Sequence, residues 1–277
     1  MKQILLLTDF SENSVNAIHY ALNLFKDDKC NFYILHVESS KSYLSDDLVL
    51  GGNQSIHDTI VKKSKHKLSE LIENLKAHFK NDNYTFHKLV DYDSVIDAVN
   101  QVKTSKAIDL IVMGSNGVTG AKETIFGSNT VNVIRNVNCP TLVIPEGFLY
   151  VKPSEVVLPL DLNDVLNSNA FVELLKFTAH YSDKIHLLRL IPNNELSQEL
   201  EKDTKYMTTH MKNINYAYHV INDVPMNYAV RCYTQTHDIN LSALLVQKEG
   251  FFEHFFTSSS TSKISNTLRV PLLVIHS

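Results

Sequence analysis

Apolar residues in the first half of the chain fall alternately into short unbroken runs and into stripes at helical spacing. Residues 3–7 (QILLL) are apolar after the first position, which suits a strand buried on both faces. Ser11 then precedes Val15, Ile18, Leu22 and Phe25, an amphipathic helical stripe with a capping residue ahead of it. Residues 31–37 (NFYILHV), rich in aromatic and branched side chains, predict a second strand. The polar stretch 39–53 predicts a loop, and Leu68, Leu71, Ile72, Leu75 and Phe79 mark a long second helix. Residues 84–90 predict the third strand, 93–102 the third helix, and 108–113 (IDLIVM) the fourth strand. A glycine-rich loop spans 114–127, a fourth helix 128–137, and a fifth strand follows Pro140 over 141–144. Strands that alternate with helices must pair in parallel, with right-handed crossovers placing helices on both faces. The first half therefore predicts a complete five-stranded, doubly wound α/β domain.

The pattern then repeats. Residues 156–160 with Asp161 match 4–8 with Asp9, and 184–190 (KIHLLRL) match 31–37. Residues 216–221 match the third strand, 239–246 the fourth, and 271–275 (PLLVI) match 140–144 (PTLVI), the second copy being shorter through its middle. Such self-similarity predicts a tandem duplication. Residues 147–155 (GFLYVKPSE), punctuated by a glycine and a proline, form the join, so the expected domains are 1–147 and 148–277.

Composition narrows the class. An apolar fraction of 44% and a charged fraction of 20% over 277 residues are those of a globular chain rather than a disordered one. The net charge of -4 is spread without a basic stripe, which argues against nucleic acid as a partner. The short run after Lys2 is interrupted by Asp9, and no apolar run approaches the roughly 18 residues of a membrane span. Cys30, Cys139 and Cys232 form no CxxC pair or even framework, so the expected setting is a reducing cytoplasm.

Ligands of an open parallel sheet sit at the carboxyl ends of its strands, where strand order reverses. The ends to inspect are Thr8–Asp9, Val37 and Met113–Gly114. Gly114 and Gly117 follow the fourth strand, where glycine permits positive φ and close approach of a ligand to the main chain. Gly127 and Ser128 then open a helix whose unpaired amides and dipole suit a phosphate, with Asn129 and Thr130 adding polar groups. Lys122 and Glu123 are the charged residues of the loop. Against this stands a plain turn with Ser128 as its N-cap. Strand before, helix after and Asp9 alongside favour a ligand site. In the second copy Gly114 aligns with Leu245, Gly117 with Lys248, and Gly127–Ser128 with Ser258–Ser259. Phe251, Phe252, Phe255 and Phe256 crowd that loop, so no nucleotide is expected there. Asp161 is expected to serve as a turn or capping residue.

The spacing Gly114-x2-Gly117-x9-Gly127-Ser128 resembles the ATP-binding pattern of universal stress proteins, as do TDFSENS (8–14), ILHV (34–37) and CPTLVIP (139–145). The likeness runs over both halves and is degraded in the second. It implies tandem Rossmann-like domains of strand order 3-2-1-4-5. Thr8, Asp9 and Val37 would border the adenine and ribose, and Met113, Gly114 and Gly117 would line the ribose and phosphate side. Gly127, Ser128 and Asn129 would hold the phosphates. The cofactor so implied is ATP, ADP or AMP, with or without magnesium. Asn116 stands where that family often has histidine. Its members commonly dimerise through fifth strands, and 141–144 and 272–275 would be bare apolar edges in isolated domains. Pairing them within the chain as a pseudo-dimer is the expected arrangement, with homo-oligomers and an unidentified protein partner open.

Catalysis is not expected. There is no GxxxxGK[ST] loop, the 13 histidines form no HExxH cluster, and no water-positioning base stands out. The expected function is a nucleotide-binding stress-response regulator; the alternatives are an interaction scaffold and a slow ATP hydrolase.

Overall fold

The first half alternates strand and helix as β1 (Lys2–Leu7), α1 (Glu12–Leu24), β2 (Cys30–Val37), α2 (Asn53–Phe79), β3 (Tyr84–Asp91), α3 (Val95–Lys106), β4 (Leu110–Gly114), α4 (Ser128–Asn136) and β5 (Thr141–Ile144). The second continues with β6 (Glu155–Leu160), α5 (Asn169–Tyr181), β7 (Lys184–Ile191), α6 (Gln198–His210), β8 (Tyr216–Asn222), α7 (Met226–Thr236), β9 (Leu241–Val246) and β10 (Leu272–His276). The structure is a computed structural model and describes residues 1–38, 53–115, 127–162, 164–191, 198–246 and 269–276. Two compact units result: the first carries β1–β4 and α1–α4, and the second carries β5–β10 and α5–α7.

In the first unit the strands run in the order β3-β2-β1-β4, all parallel. In the second the order is β5-β10-β9-β6-β7-β8. All its pairs are parallel except β5 with β10, which is antiparallel with Leu272 opposite Val143. The second repeat thus shows the 3-2-1-4-5 order, and the α/β class read from the sequence is present in both units. Pairing β5 with β10 covers two apolar edges at once.

Local rules explain most boundaries. Ser11 caps α1, its hydroxyl accepting from the Ser14 N–H at 3.2 Å. Ser94 caps α3 in the same way, with Asp97 completing the turn, and the helix runs past the expected end to Lys106 because Ala107 closes it in the left-handed region at φ 48. β4 starts later than expected because Asp109 is taken up by Gln3: its N–H donates to the Gln3 carbonyl at 2.8 Å and its carboxylate accepts the Gln3 N–H at 2.7 Å. Along β2 every residue up to His36 is buried, as a central parallel strand requires. In β6, Pro159 lacks an amide donor, and the ladder to β9 is confined to Val156 and Val157.

The ladders also align the repeats. Ile4 faces Leu110 and Phe32, while Val156 faces Leu241 and Ile185. Counting along the strands, Gly114 corresponds to Leu245, Tyr33 to His186 and His36 to Arg189.

Candidate functional site

After β1 the chain turns sharply through Thr8, Asp9 and Phe10 into α1. The Thr8 and Ser14 hydroxyls bond each other at 2.9 Å, and the Phe10 N–H donates to Thr8 Oγ1 at 3.0 Å. The Ser11 N–H donates to Asp9 Oδ1 at 3.0 Å. Partial burial pushes the Asp9 carboxyl upward, but hydrogen bonds from Ser11 and Ser14 outweigh it and hold the group below its usual range. Asp9 is therefore a carboxylate at neutral pH.

On the neighbouring side, the Thr130 hydroxyl reaches back to the carbonyls of Gly114 at 3.2 Å and Ser115 at 3.0 Å, and the Gly127 N–H donates to the Ser115 carbonyl at 2.8 Å. These bonds lash the start of α4 to the end of β4. Gly127 is the N-cap, extended at φ -61, and brings no side chain to the amides of the first turn. Ser128 and Asn129 are exposed there.

The elements enclose a cavity of about 400 Å³ at the carboxyl ends of the first unit's strands, within the roughly 300–1,000 Å³ of small-molecule sites. Leu7, Leu35, Val37, Val95 and Met113 give it apolar walls, and Thr8, Asp9, Ser14 and the Gly127–Thr130 turn give it polar ones. Thr8, Asp9, Val37, Met113, Gly114, Gly127, Ser128 and Asn129 all line this one cavity. Gly117, Asn116, Lys122 and Glu123 lie outside the described residues. The sequence reading missed Leu7, Ser14, Leu35 and Val95. Leu35 was accessible from strand alternation with Val37; Val95 arrives on α3 with no local signal.

The freedom that glycine gives at 114 is not used for a positive φ; among the described glycines only Gly147 has one. Gly114 is small for a different reason: a Cβ there would stand 2.6 Å from Asn13 Nδ2. Ser128 is the first helical residue of α4, as expected, with Gly127 as its N-cap, and the plain turn capped by Ser128 is not what is found.

The second unit differs at the same places. Leu245 fills the Gly114 position and is 1% exposed. Asp161 accepts the Asp164 N–H at 3.2 Å while Asp164 accepts the Asp161 N–H at 2.9 Å, so Asp161 is a turn residue as expected. Arg189, at the His36 position, is buried; it pairs with Asp203 and donates to the carbonyls of Asp161 and Asp164. Lys248, Ser258, Ser259 and the four phenylalanines lie outside the described residues. Among the described residues no group of His, Cys, Asp and Glu could hold a metal ion, and no helix is long and apolar enough to cross a membrane.

Comparison with known protein families and sequences bears on the first half of the chain, and comparison with solved structures on the whole of it. The model of the Universal stress protein family matches residues 1–145. Universal stress protein MJ0577 of Methanocaldococcus jannaschii is 30% identical over 154 residues, covering 52% of this chain and 94% of that protein. Universal stress protein G of Escherichia coli O157:H7 is 28% identical over 133 residues, covering 48% of this chain and 89% of that protein. Among solved structures, a universal stress protein from Archaeoglobus fulgidus DSM 4304 is similar with a TM-score of 0.70 over 99% of this chain and 96% of that one, at 16% identity, a likeness of fold.

Proposed function

The chain belongs to the universal stress protein family, and on that premise we propose that it is an adenine-nucleotide-binding regulatory protein whose first unit alone holds the nucleotide. The observation that carries the reading is the cavity in which an ionised Asp9, an apolar wall and a helix start capped only by Gly127 meet. Each part suits one part of a nucleotide. Val37, Leu35 and Met113 offer an apolar slot for the base. The Asp9 carboxylate accepts hydrogen bonds from ribose hydroxyls, and it repels phosphate. The first-turn amides of α4, with the Ser128 hydroxyl and the favourable helix dipole, take the phosphates. Asp9, the one carboxylate of the described lining, is assigned to the ribose, so the role proposed is binding rather than catalysis. Leu245 closes the corresponding place in the second unit.

Equilibrium dialysis of the full chain against ATP tests this. The expected result is one equivalent bound, lost in Gly127→Val, whose β-branched side chain crowds the helix start. Two equivalents contradict the one-site reading. No binding at millimolar ATP leaves an interaction scaffold, and ADP formed from ATP but not by Gly127→Val points to a hydrolase.

A further inference from the structure

The turn into the cavity holds an uncommon conformation. Phe10 has φ 66, a left-handed backbone that bulky residues rarely adopt unless their surroundings impose it. Those surroundings are specific. The Phe10 N–H is bonded to the Thr8 hydroxyl at 3.0 Å, and its ring lies tilted against His36 with centroids 4.4 Å apart. Lys67 of α2 places its ammonium 5.2 Å from the ring centroid. His36 is fixed in turn. Its Nδ1 lies 2.8 Å from the Thr8 carbonyl, which only accepts, so Nδ1 carries the proton. Its Nε2 faces Glu38 Oε1 at 3.3 Å, and Ser64 of α2 bonds the same carboxylate.

The second unit lacks this device. Leu162 follows Asp161, and the left-handed non-glycine residues among those described are Phe10, Lys80, Ala107 and Asp223. Arg189 stands at the His36 position and is engaged with Asp203. The clamp thus accompanies the half whose cavity is lined by Asp9 and Gly127.

We propose that Phe10 is a positioning residue of the nucleotide cavity: its ring, held between His36 and Lys67, imposes the left-handed turn that sets Asp9 and Thr8 at the cavity wall. The proposal rests on the nucleotide reading of that cavity. The mechanism is geometric. Residue 10 sets the direction of the chain between Asp9 and the cap of α1. With φ returned to negative values, the Ser11 N–H swings away from Asp9 Oδ1, and the carboxylate loses its fixed aim.

The test is calorimetric titration of the full chain with ATP, beside its melting midpoint without nucleotide. Phe10→Tyr keeps the ring and should bind within about twofold of the unmodified protein, since its packing is retained. Phe10→Gly adopts left-handed φ without steric cost, which offsets much of the lost ring contact, so its midpoint should fall only slightly. It has no ring to impose that φ, and ATP binding should weaken about tenfold, the loss of one hydrogen bond to an ionised group. Undiminished affinity in Phe10→Gly overturns the positioning role alone. A midpoint that falls in step with affinity also overturns it, leaving Phe10 as packing. No ATP binding by the unmodified chain overturns this proposal together with the site reading.

Discussion

A Cβ at Gly114 would stand 2.6 Å from Asn13 Nδ2 and 3.0 Å from its Cγ, and Asn13 is itself buried. Gly114→Ala should therefore lower stability by roughly 1–3 kcal/mol, the usual cost of overpacking. A urea melt reads this, and Asn13→Ala combined with Gly114→Ala should recover part of the loss because the two sites share one space. Full additivity of the two substitutions would show that the clash is relieved elsewhere. The residue scale also shows what the sequence conveys and what it withholds. Gly114, Asp9 and Val37 were legible because strand ends are legible and ligands gather there. The reason for glycine at 114 was not, since the obstacle comes from α1, distant in sequence. Phe10 drew no reading of its own from the sequence; its left-handed φ is set by His36 and Lys67, which no local pattern connects to it.

At the scale of elements, α4 is positioned by one side chain. Thr130 is 2% exposed, and its hydroxyl serves the carbonyls of both Gly114 and Ser115. Thr130→Val keeps the volume and takes the hydroxyl from both carbonyls, that of Ser115 keeping its bond from the Gly127 N–H, a cost of about 1 kcal/mol. The helix start should also drift from β4. The expected outcome is a lower thermal midpoint and weaker ATP binding, both largely restored in Thr130→Ser. A Thr130→Val protein that melts and binds as the unmodified one does would show that α4 is held by packing alone. The more buried strands were legible as mostly apolar runs, since burial on both faces leaves few polar positions, whereas β3 and β8 are more exposed and carry several. Boundaries were less so, because they depend on single partners: Asp109 engaged by Gln3 delays β4, and Ala107 in a left-handed cap extends α3. The β5–β10 pairing was expected from the family's habit of dimerising through fifth strands and from two bare apolar edges, and the ladder between them is antiparallel.

For the whole molecule, duplication supplied one scaffold twice and left the polar groups to diverge. Gln3 and Tyr33, which meet at 3.1 Å in the first unit, are replaced at corresponding positions by Glu155 and His186. His186 is 3% exposed; one ring nitrogen is bonded to Glu155 and the other lies 2.7 Å from the Tyr233 hydroxyl. Burial pushes the imidazole below its usual 6.5 and outweighs the opposing pull of Glu155. His19 is lowered as well, by burial first and then by the neighbouring His78. The consequence for stability has a definite sign. Below the unfolded-state value the unfolded chain binds protons that the folded chain refuses, so stability is fully present above about 6.5 and is lost as pH falls toward the lowered folded values. The melting midpoint should decline between about pH 7.5 and pH 5. Asp9, whose carboxyl is also lowered, contributes stability that is lost only below about pH 4, outside this window. Installing the first unit's own pair by Glu155→Gln with His186→Tyr should flatten the decline, leaving the share due to His19. The slope is to be read against each protein's own midpoint at about pH 7.5, where histidine is neutral in both states. A midpoint that holds or rises on acidification, or a slope unchanged in the double variant, would mean that His186 titrates alike in the folded and unfolded chains.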